Sequence, residues 1–181
     1  MIYFTGDTHF GHSNIIKYCN RPFQSIEDMD ETLIYNWNQK VWDDDIIFHL
    51  GDFCFGKNNS DFSKYFQQLN GKIILIKGNH DSLAKKNKSY FHEYYDSYKE
   101  IEVSDRRITL CHYAMRVWNK SHRGAWHLYG HSHGSLPDDP NALSLDVGVD
   151  CWNYAPVSID QIAEKMQTKN WKTVDHHEDR V

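Results

Sequence analysis

Three short apolar runs, each stopped by a glycine and a polar residue, most constrain what this chain can fold into. Ile2-Tyr-Phe-Thr5 leads into Gly6-Asp7-Thr8-His9, Asp45-Ile-Ile-Phe-His-Leu50 into Gly51-Asp52, and Lys72-Ile-Ile-Leu-Ile-Lys77 into Gly78-Asn79-His80-Asp81. Compact runs of this kind, bounded by turn residues, read as buried strands. Between the first two, Ile26, Met29, Leu33 and Trp37 recur at helical spacing behind Ser25, which predicts an N-capped helix to about Val41. A second helix is expected from about Ser60, as its cap, to Leu69, stopped at Asn70-Gly71. Strand, loop, helix and strand in alternation predict an α/β fold, in which functional groups collect beyond the C-terminal ends of the strands.

The second half is read by the same rules. Residues 83–98 carry only a partial helical signal. Glu100–Val103 and Arg107–Cys111 predict a hairpin turning at Ser104-Asp-Arg106, and His112 follows its second strand. After a long loop over 113–125, Trp126–Tyr129 predicts a strand running into Gly130-His131-Ser132-His133-Gly134. Leu143–Val147 predicts one more strand, and Ser158-Ile-Asp-Gln161 is a capping box opening a last helix to about Gln167. At 181 residues the chain is expected to be one domain over 1–170 with a charged, frayed tail over 171–181.

Composition narrows the function. No stretch approaches the roughly 18 apolar residues of a membrane span, and Met1-Ile-Tyr-Phe-Thr-Gly6 lacks a signal-peptide pattern, so a cytoplasmic protein is expected. Cys19, Cys54, Cys111 and Cys151 are widely spaced, which suits free thiols better than a disulfide frame or a structural zinc. A net charge of −5 with no long basic run disfavours general nucleic-acid binding. Twelve histidines are the compositional oddity.

Collected, the ends of expected strands carry Asp7, His9, Asp52, Asn79, His112, His131 and His133. His131 and His133, two apart on a turning backbone, project the same way. Mixed nitrogen and oxygen donors suit manganese, iron, nickel or zinc better than magnesium or calcium. Seven ligands exceed the four of a structural zinc and suit two ions sharing a carboxylate. Two dications against two carboxylates leave a local charge of about +2, which attracts phosphate.

With these blocks in this order, the sequence resembles the calcineurin-like metallophosphoesterases over about residues 2–150. That resemblance implies a four-layer α/β/β/α sandwich of two mixed sheets. It implies Asp7, His9 and His133 on one divalent metal, Asn79, His112 and His131 on a second, and Asp52 bridging. It further implies that His80 contacts the phosphate and protonates the leaving group while Asp81 orients the His80 ring. The implied reaction is hydrolysis of a phosphoester by hydroxide held between the metals.

Outside the motifs, His12, Arg21 and Arg116 are the residues expected to contact substrate, with the loop from Tyr113 to Arg123 as its frame. The small size and acidic balance favour a small phosphorylated substrate, plausibly a nucleotide or cyclic nucleotide. A nuclease of the same superfamily, or a non-catalytic metal-binding scaffold for protein interaction, are the alternatives. Monoester or diester preference, the native metal (manganese the first choice) and the oligomeric state stay open.

Overall fold

The computed structural model describes residues 1–56 and 58–175. The chain runs through β1 (Ile2–Thr5), α1 (Ser13–Tyr18), α2 (Ile26–Asn38), β2 (Ile46–His49), α3 (Asn59–Phe66), β3 (Lys72–Ile76), α4 (Ser82–Lys86) and β4 (Glu93–Tyr95). It continues through β5 (Tyr98–Val103), β6 (Arg106–Cys111), β7 (Trp126–Tyr129), β8 (Ser144–Asp146), β9 (Val157–Ser158) and α5 (Ile159–Gln167). One sheet has the order β4-β3-β2-β1-β9, parallel except for β9; the other has the order β5-β6-β7-β8, parallel except for the β5–β6 hairpin. These are the two mixed sheets flanked by helices that the resemblance implies.

Strand periodicity explains the layering. In the first sheet Tyr3, Ile47, Ile73 and Leu75 join Met29, Leu33 and Trp37 of α2 and Phe62 of α3 in one apolar cluster. Their neighbours Phe4, Phe48, Ile74 and Ile76 point the other way, into a second cluster. That cluster takes Ile108, Leu110, Trp126, Leu128 and Leu145 from the second sheet and Ile162 and Met166 from α5. Each such buried side chain contributes roughly 1.5–3 kcal/mol. The strands are continuously apolar because both faces of the first sheet are covered.

Local chemistry sets most boundaries. Ser25 accepts from the Asp28 amide at the start of α2, and Ser158 and Gln161 form the expected capping box of α5. The β5–β6 hairpin turns on Ser104 and Asp105, both with positive φ, as a two-residue turn of matching twist requires. The start of α3 differs from the expectation. Asn58, in extended conformation, accepts from the Asp61 amide, so the helix begins at Asn59 rather than after Ser60. Two strands are additional: β4, at the edge beside β3, and β9, whose two residues pair with Tyr3 and Phe4. Of the expected tail, Lys172 donates its amide to the Asn141 carbonyl, and 176–181 lie outside the described residues. Among the described residues no helix is long and apolar enough to cross a membrane.

Candidate metal centre

Every candidate ligand leaves the C-terminal end of a strand: Asp7 and His9 after β1, Asp52 after β2, Asn79 after β3, His112 after β6, and His131 and His133 after β7. The turns are unusual. Asp7, His9, Asp52, His131 and His133 all have positive φ, between 48° and 67°, a region costly for residues with a Cβ. Glycines make room for them. A Cβ on Gly78 would lie 2.3 Å from Asp52 Oδ1, and one on Gly51 only 2.5 Å from His112 Nδ1.

The donor atoms form two groups, Asp7 with His9 and His133, and Asp52 with His112 and His131, each with its atoms within 4.8 Å of one another. Asp52 lies between the groups. Its Oδ2 is 3.5 Å from His9 Nε2 and 3.6 Å from His112 Nε2, while its Oδ1 accepts from the His80 amide at 2.8 Å.

The donors fit divalent cations. His112 Nδ1 lies 2.7 Å from the Leu50 carbonyl, which can only accept, so Nδ1 carries the proton and Nε2 a lone pair. That lone pair faces Asn79 Oδ1 at 2.9 Å and Asp52 Oδ2. Acceptors converging without a proton between them call for a positive charge. Asp7 Oδ1 and His9 Nε2 are likewise buried with no hydrogen-bond partner, a cost that a cation relieves. Burial pushes the Asp7 carboxyl well above its usual range, whereas burial and then neighbouring positive groups push the His9 imidazole down.

A second layer of side chains fixes these donors, and it changes two assignments. Arg21 is fully buried, so it is not a substrate contact. Its guanidinium grips both carboxylate oxygens of Asp150 at 2.8 Å and donates to the Asp7 and Thr8 carbonyls at 2.7 and 3.2 Å. Asp150 Oδ2 in turn accepts from His133 Nδ1 at 2.7 Å, so Nε2 is the nitrogen that would give up its proton to face a cation. Asp81 turns to the backbone rather than to the His80 ring. It accepts from the Gly78, Asp52 and Phe53 amides at 2.7–2.8 Å, tying the loops after β2 and β3 together.

His80 itself is exposed, its ring 5.7 Å from that of His9. His12 is at the site, its Nδ1 3.3 Å from His9 Nδ1. Arg116 is exposed and lines a cavity of about 440 Å³ with Tyr129, Leu136 and Pro137, which none of the seven candidate ligands lines. Asp150 escapes sequence reasoning because nothing local marks it; only the fold brings it to His133. Among the described residues, two other histidines belong to the interior instead. His49 donates from Nε2 to Thr8 Oγ1, which itself donates to the Phe53 carbonyl, and His127 contacts the Thr109 carbonyl and the Met115 amide.

Residues 2–145 match the calcineurin-like phosphoesterase superfamily domain, and the chain belongs to that superfamily, whose members are generally phosphoesterases that bind divalent metals. It is 38% identical to an uncharacterized protein of Methanocaldococcus jannaschii, over 92% of this chain and 91% of that one. It is 24% identical to the gene 66 protein of Mycobacterium phage L5, over 88% of this chain and 91% of that one. The crystal structure of a protein of unknown function from Aquifex aeolicus superimposes with a TM-score of 0.72 at 27% identity, covering 91% of this chain and 98% of that one.

Proposed function

We propose that this protein is a dinuclear-metal phosphoesterase acting on a small phosphorylated substrate. The observation that carries the reading is Asp52 Oδ2, nearly equidistant from imidazole nitrogens of the two donor groups, as a carboxylate shared by two cations requires. Asp7, His9 and His133 would hold one ion, Asn79, His112 and His131 the other, with Asp52 common to both. When bound, such ions supply Lewis acidity toward phosphoryl oxygens and lower the pKa of water.

The chain's own residues do the rest. Arg21 and Asp150 hold His133 in one tautomer, His12 packs on His9, and Asp81 keeps the Asp52 and Asn79 loops together. His80, exposed beside His9, is positioned to meet the phosphate and give a proton to the departing oxygen as the P–O bond breaks. Manganese is the first ion to try, a cytoplasmic setting the first to consider.

The test is hydrolysis of p-nitrophenyl phosphate and bis-p-nitrophenyl phosphate by metal-stripped protein, with and without added manganese. Manganese-dependent release of nitrophenol is expected, and the faster ester assigns monoester or diester preference. No hydrolysis of either by protein shown to hold two ions would point to a narrowly selected natural substrate or to a scaffold. His80→Ala is expected to lower kcat by about 100-fold or more with metal content unchanged, a magnitude typical of losing general acid catalysis. Undiminished turnover would remove His80 from the mechanism.

A further inference from the structure

Beside this polar centre stands an aromatic side chain that neither the core nor the ligand set accounts for. Phe55 is 45% exposed, three residues beyond Asp52, yet it is held in place. Its amide donates to the Phe10 carbonyl at 2.8 Å, and its ring stacks on His12 with centroids 4.1 Å apart and planes inclined by 16°. His12 is anchored in turn against His9. The Phe55 ring also meets the His80 ring edge-on at 5.5 Å.

Single exposed hydrophobic residues carry little meaning. A preorganised one, touching the group that would protonate the leaving oxygen, is different, because an aromatic ring there adds contact at little entropic cost. Tyr113, the exposed ring on the other side, is committed elsewhere. Its hydroxyl lies 3.3 Å from Asn79 Oδ1 and its ring packs on His131 at 4.6 Å.

We infer that Phe55, seated on His12 beside His80, is a stacking shelf for a planar heteroaromatic group on the leaving-group side of the substrate, which makes the substrate a nucleotide rather than an aliphatic phosphate. The inference rests on the phosphoesterase reading above and adds to it the source of selectivity. Tyr18, 72% exposed, stands edge-on to His12 at 6.3 Å. Stacking tolerates any base, since each has a π-face, so the shelf selects for a base without selecting which.

The experiment is calorimetric titration of manganese-loaded protein with the non-hydrolysable methylenephosphonate analogues of adenosine 5′-monophosphate and of ribose 5-phosphate, which share the phosphonate and differ by the base. The nucleotide is expected to bind about tenfold more tightly, the lower range of base–aromatic stacking. Phe55→Ala is expected to bring the two affinities within about twofold by weakening the nucleotide alone, with manganese content unchanged, and Phe55→Trp to keep the preference. Equal affinities in the wild type, failure of both ligands to bind, or a preference that survives Phe55→Ala would overturn the shelf. So would loss of manganese in Phe55→Ala, which would make the ring only a prop for His12 and His9. Hydrolysis of bis-p-nitrophenyl phosphate by the same preparations separates the two ideas. Turnover without base preference rejects the shelf alone, and base preference without turnover counts against the reaction alone.

Discussion

Asp150 governs how His133 presents itself to a cation. Because it takes the proton side of His133 and is itself held by Nε and Nη2 of Arg21, replacing one oxygen by an amide group disturbs ring orientation and basicity together. Asp150→Asn is expected to weaken manganese binding by about 10- to 100-fold, read by calorimetry on protein without substrate. Affinity equal to wild type would mean that the turn alone fixes His133. His49 carries a different consequence. Burial pushes its imidazole down to about 3, from an unfolded value of about 6.5, so the unfolded chain binds the proton first as pH falls. Its contribution to stability is therefore whole above about pH 6.5 and is lost progressively from there toward pH 3. In urea denaturation of metal-free protein, the advantage of wild type over His49→Gln is expected to shrink by about 1.4 kcal/mol per pH unit below 6.5. A gap constant from pH 7.5 to 4.5 would show that His49 does not titrate this way.

Elements differ in how far their own residues announce them. β1, β2, β3, β6 and β7 are visible as apolar runs because both of their faces are covered, and α2 and α5 because cap and spacing agree. At the start of α5, Ser158 accepts from the Gln161 amide while Gln161 Oε1 accepts from the Ser158 amide, at 3.2 and 3.1 Å. Ser158→Ala is expected to cost about 1 kcal/mol in urea denaturation, and a loss below a few tenths would place the helix's stability in Ile162 and Met166 instead. β4 and β9 were not legible. Three and two residues hold no periodicity, and each exists because a neighbouring strand offers hydrogen bonds. The candidate ligands were legible because they sit directly after legible strands. Arg21, Asp81 and Asp150 were not, since their roles depend on which backbone or ring the fold brings to them. Asp81 is two residues from Asn79, yet its carboxylate turns back to amides of another loop.

Across the molecule, five candidate ligands from three loops share one feature, a left-handed backbone. Each costs roughly 1–2 kcal/mol that a glycine would not incur, and the folded state carries the sum. In metal-free protein, His131→Gly is expected to raise the melting temperature by about 2–4 °C, even as it removes a metal donor. A fall in melting temperature would show that the His131 ring packs for more than its backbone costs. The five positions therefore lie on a slope. On the proposed reading, a chain with no metal to hold would gain stability by placing glycine at any one of them, so these residues serve the cations at the expense of the fold.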